Sequence, residues 1–217
     1  MAFSRDGRWL LTVPRISGES GEVRVWSVDD GRLLREARPR GPFVPMSALL
    51  LESAGGGMRA VMGDDTRRLR SIDLDAPDLP VRETVFSGPI VMLRPSPDGG
   101  RILAVAGHSS IVLDAASLEV RFQHGDQRQS VLGAGWVDAD SFVIAAFDGR
   151  VRRFGTSPSP ATRSVRIVPH WCFGLSVDAD RRRVWIAGSD ATVHALDAVT
   201  LEQLRVVSLG DRGRARA

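Results

Sequence analysis

Residues 193–198 read VHALDA: an apolar strand, a bulky residue, then aspartate. The same short pattern stands at 23–28 as VRVWSV, at 69–73 as LRSID, at 111–115 as IVLDA and at 151–155 as VRRFG. Its bulky residues, Trp26, Ile72, Leu113, Phe154 and Leu196, are 46, 41, 41 and 42 residues apart. A second marker keeps step with the first. It reads SRDGR at 4–8, SPDGGR at 96–101, VDADS at 137–141 and VDADRR at 177–182, with ESAGGG at 52–57 in its place in the second unit. Two independent markers on one period of about forty residues define five copies of one structural unit.

Each copy reads as four short strands. The third runs PIVMLRPS, GRILAVAG, SSIVLDA and EVRFQHG, each segment rich in Val, Ile, Leu and Ala and bounded by Gly, Asp, Pro or Ser. Second strands are almost wholly apolar, which predicts burial on both faces. Fourth strands such as LEQLRVV at 201–207 alternate, as an outer edge should. Asp148-Gly149 in FDGR predicts a two-residue type I′ hairpin. No segment holds a period of 3.6 over three turns. The fold class is therefore all-β, a β-propeller of about five four-stranded antiparallel blades. A sheet apolar on both faces is stable only when neighbours stack on it. A long β-sandwich would not keep two markers in step. The expected blades are 1–40, 41–87, 88–126, 127–168 and 169–210, with a basic, disordered tail at 211–217. Residues 1–3 supply only the tail of an inner strand, so the first blade is expected to be incomplete there and the chain to continue upstream of Met1.

Composition excludes some classes. The chain has 217 residues and one cysteine, Cys172, which rules out an internal disulfide and fits a reducing cytoplasm. No apolar run reaches the roughly 18 residues of a membrane helix. Lys, Asn and Tyr are absent, so every basic side chain is Arg. Those three residues have AT-rich codons, which points to a GC-rich bacterial genome. The formal net charge of +3 is small and argues against nucleic acid as the partner.

No constellation carries catalysis. His108-Ser109-Ser110 reads as a hairpin tip rather than a nucleophile and its base, because nothing is placed to orient the histidine. His170, Trp171 and Cys172 open an inner strand, but further metal ligands are missing, and Cys172 reads as a small core residue. Asp138, Asp140, Asp178 and Asp180 follow the turn marker rather than a calcium loop; aspartates there cap their own backbone. Gly55-Gly56-Gly57 reads as a flexible turn. The reading assigns no catalytic, cofactor-binding or metal-binding residue and no cofactor. Arg67, Arg68 and Arg70, and Arg150, Arg152 and Arg153, alternate within strands and are expected on an exposed face. They are a solvated surface, or alternatively a patch for acidic protein segments.

The segments 2–34, AFSRDGRWLLTV and EVRVWSVDDGRLL, resemble the WD-repeat propellers: Phe3 ends a strand, Ser4-Arg5-Asp6-Gly7 turns, and Trp26 lies in the following strand. Later units replace that Trp, and the family's Gly-His pair is missing, which implies an incomplete Asp–His–Ser–Trp hydrogen-bond network. The last blade, 180–210, also resembles the YVTN-type propellers. The resemblance implies structural repeat positions at Asp6, Trp26, Asp73, Asp98, Asp114, Asp148, Asp190 and Asp197, and often a ring of seven blades. It implies a non-catalytic cytoplasmic interaction scaffold or sensor with protein partners and no membrane. Its surface would be built from loops bearing Arg40, Arg67, Arg128, His170, Trp171 and Asp190. The alternatives are a small-molecule-binding or enzymatic propeller with a site at the channel mouth, and Arg-mediated nucleic-acid binding.

Overall fold

The computed structural model describes residues 1–13, 22–38, 44–52, 56–76, 81–124, 130–156 and 163–210. Among these every regular element is a strand, and the strands form five four-stranded antiparallel sheets. The first holds β1 (Ala2–Phe3), β2 (Trp9–Thr12), β3 (Val23–Ser27) and β4 (Leu33–Ala37); the second β5 (Pro45–Glu52), β6 (Met58–Asp64), β7 (Arg68–Asp73) and β8 (Arg82–Val85). The third holds β9 (Ile90–Pro95), β10 (Arg101–Ala106), β11 (Ser109–Asp114) and β12 (Val120–His124). The fourth holds β13 (Val131–Asp138), β14 (Ser141–Ala146), β15 (Arg150–Gly155) and β16 (Arg163–Arg166). The fifth holds β17 (Cys172–Asp178), β18 (Arg183–Gly188), β19 (Thr192–Asp197) and β20 (Gln203–Ser208). In every sheet the strands lie side by side in chain order. Each unit is thus a meander that needs only tight turns.

By packing the chain divides into two compact units, residues 1–93 with 104–107, and residues 94–103 with 108–217. In the first, Leu11, Val23, Val25 and Ala37 of sheet one pack on Leu50, Met58, Ala60, Met62, Ile72 and Leu74 of sheet two. Arg35 Nε donates to Asp75 Oδ1 across that junction at 2.9 Å. In the second unit, Val143, Ala145 and Val151 pack on Val184, Ile186 and Leu196, with Val168, Cys172 and Leu201 among them. A further aromatic cluster joins His124, Trp136, Phe142 and Phe154; the Phe142 and Phe154 rings stack at 5.5 Å.

The marker aspartates are turn-formers. Ser4 Oγ donates to Asp6 Oδ1 at 2.7 Å and accepts from Trp9 N at 2.9 Å. Ser96, Asp98 and Arg101 repeat that arrangement in the third unit. Asp73, Asp114 and Asp197 each accept two backbone N–H bonds from the residues that follow, for Asp197 from Val199 and Thr200 at 2.8 and 2.7 Å. Asp138 Oδ1 and Asp178 Oδ1 likewise accept from Asp140 N and Arg181 N. Trp26 Nε1 donates to Thr12 Oγ1 at 2.8 Å, tying β3 to β2.

Two expectations need correction. The turn at Asp148-Gly149 is not type I′: only Gly149 has positive φ, +72°, and the loop between β14 and β15 spans three residues, 147–149. Such a loop is a type I turn closed by one left-handed residue. Arg67 (φ 71°) and Ala191 (φ 59°) take that left-handed position between β6 and β7 and between β18 and β19. Of the arginines expected on an exposed face, Arg67 and Arg68 are exposed, but Arg70 is buried and Arg150, Arg152 and Arg153 are half-buried. Arg70 is buried against Glu83 at 2.8 Å, Arg152 pairs with Asp148, and Arg153 reaches Ser141 and Asp138. Each local carboxylate draws a guanidinium onto the sheet, and its stem covers apolar surface.

Candidate functional site

The richest exposed cluster lies in the second unit, where the turn 147–149 meets the loop leading into β17. Ile167 N donates to Gly149 O at 2.9 Å. A Cβ on Gly149 would lie 2.1 Å from Val168 O and 2.6 Å from His170 O. Close approach and left-handed φ therefore both require glycine here. On the far side Trp171 N donates to Ser189 Oγ at 3.3 Å, and Ser189 N to Trp171 O at 3.0 Å. The loop is clamped between two turns.

This clamp gathers four rings. Phe147 stacks on Trp171 with centroids 5.1 Å apart and planes 18° apart. His170 lies 5.7 Å from Trp171, and Phe173 meets Trp171 edge-on at 6.1 Å. Phe147 is 44% and Phe173 64% exposed, His170 is exposed, and Trp171 is half-buried. Phe173 is exposed because β17 bulges there: Cys172 pairs with Gly188 and Gly174 with Ala187, leaving Phe173 without a register partner. The bulge recurs at Met46 in β5 and Leu132 in β13. Bulges re-aim a side chain, here an apolar one at the start of the inner strand.

Beneath the rings the chemistry is quiet. Cys172 is fully buried. Burial, then the charges of Asp148 and Asp190, push its thiol up to about 11, so at neutral pH it is protonated and a poor nucleophile. Burial raises the Asp148 carboxyl, but the Arg152 side chain and the Arg150 N–H outweigh it and hold Asp148 below its ordinary value. The Thr192 hydroxyl lowers Asp190. Thr192 Oγ1 also lies 2.7 Å from His194 Nε2, whose Nδ1 is 3.0 Å from Gln203 Oε1, so this buried histidine is part of a polar chain that runs out to the surface at Gln203. Among the described residues, no group of three or more His, Cys, Asp or Glu could hold a metal ion.

Of the residues named from sequence, His170 and Trp171 come together, with Asp190 next to the Ser189 that holds Trp171. Arg67 lies in the first unit, exposed at the tip of the turn between β6 and β7. Arg40, Arg128 and the tail at 211–217 lie outside the described residues. Sequence reasoning missed Phe147 and Phe173. The signal available was an aromatic residue directly before Asp148-Gly149 and another two residues after Trp171, but the bulge that exposes Phe173 leaves no mark in composition.

No family model and no curated protein sequence matches the chain. Among solved structures it is similar to the β-propeller domain of Myceliophteria thermophila Cps50 (Swd1). The TM-score is 0.71 at 15% identity, covering 94% of this chain and 70% of that one. The fold is a β-propeller.

Proposed function

We propose that this chain is a non-catalytic protein-interaction module whose recognition surface is the aromatic cluster Phe147, His170, Trp171 and Phe173, with Asp190 at its polar rim. The carrying observation is that two phenylalanines stay exposed while their backbone is clamped at Gly149 and Ser189. Large rigid aromatics held ready for contact lose little conformational freedom on binding, and such residues dominate interface energetics. The propeller supplies a rigid scaffold for loops, which suits recognition. A fully buried, unreactive Cys172 at the base favours binding over covalent chemistry. One cysteine in a chain without a disulfide suits a reducing cytoplasm.

The test compares proteins retained by the immobilised chain with those retained by Phe147→Ser/Phe173→Ser. Specific partners lost by the variant at unchanged melting temperature support the reading. Identical retention refutes it.

A further inference from the structure

In three sheets the third strand carries an arginine two residues before the marker residue: Arg24 before Trp26, Arg70 before Ile72 and Arg152 before Phe154. The first two sheets set a fourth-strand glutamate directly opposite. Arg24 faces Glu36 with nitrogen and oxygen 3.2 Å apart, and Arg70 faces Glu83 at 2.8 Å. In the fourth sheet Ser164 takes the place of that glutamate, and Arg152 turns to Asp148 instead. One pair further along, Arg150 stands directly opposite Arg166. Like charges so placed repel. Arg150 Nη1 donates to Ser164 Oγ at 3.2 Å, but among the described residues neither Arg150 nor Arg166 has a carboxylate within ion-pair distance. Strand alternation puts Arg150, Arg152, Ser164 and Arg166 on one side of the sheet. Three guanidiniums therefore stand together, and Asp148 is already taken up by Arg152.

This sheet has a neighbour on each side within its own unit. Trp136 Nε1 donates to Arg94 O of the third sheet at 3.0 Å, and the Phe154 ring meets that of His124 at 4.6 Å. On the other side Val143 and Val151 pack on Val184 of the fifth sheet. The arginines open outward at the strand ends: Arg150 begins β15, Arg166 ends β16, and Arg166 is exposed. They are also tied to the ring cluster. Arg150 follows Gly149, and Arg166 precedes Ile167, whose N–H holds Gly149 O at 2.9 Å. The clamp that positions Phe147 and Trp171 thus fixes both cations. His170 lies four residues beyond Arg166, at most about 14 Å along the chain.

We propose that Arg150 and Arg166, with Ser164, receive carboxylates of an acidic segment of a protein partner whose apolar side chain rests on Phe147, Trp171 and Phe173; this rests on the reading of those rings as the recognition surface. Guanidinium groups hold carboxylates through paired, charge-assisted hydrogen bonds. An anion between the two arginines replaces their mutual repulsion with attraction. A nucleic-acid backbone fits less well, because charge runs along its whole length. Laid over the rings, it would meet the exposed Asp190 carboxylate beside the other clamp, at Ser189. A peptide can carry its acids at one end only, within about four extended residues of the apolar anchor.

Selection of a short random-peptide library on the immobilised chain tests this, followed by fluorescence anisotropy of the enriched peptides. Those peptides are expected to carry Asp or Glu close to Trp, Phe or Leu. Arg166→Glu should weaken their binding by about tenfold or more. The same change gives Arg150 an opposing glutamate, as Arg24 and Arg70 have, so the variant should melt no lower than wild type. If it does melt lower, Arg166→Gln replaces it. Enriched peptides without acids, unaffected by Arg166→Glu but lost on Phe147→Ser/Phe173→Ser, overturn the arginine site and leave the ring cluster standing. Acidic peptides lost on Arg166→Glu but kept by the phenylalanine variant support the arginine site and refute the ring cluster. No enrichment over the bare support overturns both. An oligothymidylate that binds as tightly as the best peptide overturns the choice of an acidic protein segment.

Discussion

Leu201 offers a test in which two known effects oppose each other. It has φ 56°, in the left-handed region, yet is only 2% exposed within the second unit's core. Its N–H donates to Asp197 O at 2.9 Å, closing a five-residue turn that recurs as Asp114–Leu118 and as Ser27–Gly31. Glycine fills the left-handed position in the first copy and leucine in the other two. A side chain there costs about 1–2 kcal/mol, while truncating a buried leucine costs about 2–5 kcal/mol. Burial wins, so Leu201→Gly is expected to destabilise the protein despite relieving the backbone. The sharper prediction concerns the order of two variants. Leu201→Ala loses the same burial and keeps the strain, so Leu201→Gly should be more stable than Leu201→Ala by about 1 kcal/mol, or some 2–4 °C in Tm for a chain of this size. Leu196→Ala and Leu196→Gly, in strand β19 where no residue has positive φ, should show the ordinary order, with alanine the better. Urea unfolding followed by tryptophan fluorescence measures all four. A Leu201→Gly variant more stable than wild type would mean that strain outweighs packing. A Leu201→Ala variant more stable than Leu201→Gly would mean that the residue is not left-handed.

Gly149→Ala should cost about 3 kcal/mol or more, because its Cβ meets backbone oxygens of Val168 and His170 and its φ is +72°; thermal melting reads this, and a loss under about 1 kcal/mol contradicts the clamp. Burial lowers the His124 pKa, although the Gly155 carbonyl opposes it, so the folded state holds this ring neutral while the unfolded chain takes up a proton. Stability from His124 is therefore complete above about pH 6.5 and falls as the pH drops below it; His124→Phe should flatten that part of the pH–stability curve. Cys172, with its thiol raised to about 11, should resist alkylation at neutral pH until the chain unfolds, and rapid labelling of the native protein would contradict its burial. Trp26→Phe removes the Nε1 bond to Thr12 and should cost about 1 kcal/mol; a double-mutant cycle with Thr12→Val should return a coupling of that size.

Much of the fold was legible because it rests on local chemistry. Asp73, Asp114 and Asp197 cap their own turns within three residues, and Ser4 with Asp6 closes a turn without help from elsewhere. The apolar run of β14 announced burial on both faces, and it is buried along its length. The loop at Asp148-Gly149 misled because several turn types accept that dipeptide and only the loop length, three residues, selects among them. Arg70 and Arg152 misled because strand alternation gives a side chain's direction but not its partner, and Glu83 and Asp148 supply the partners.

The candidate site was half legible. His170 and Trp171 stood out as bulky residues at a strand start, but Phe147 comes from a turn more than twenty residues upstream and stacks on Trp171 only after the two loops dock at Gly149. By itself, then, the sequence determined the repeat, its strands and its capped turns, since these depend on periodicity and on groups a few residues apart. Tertiary structure alone decided which rings meet and where the inner strands bulge, because those follow from contacts between segments distant along the chain.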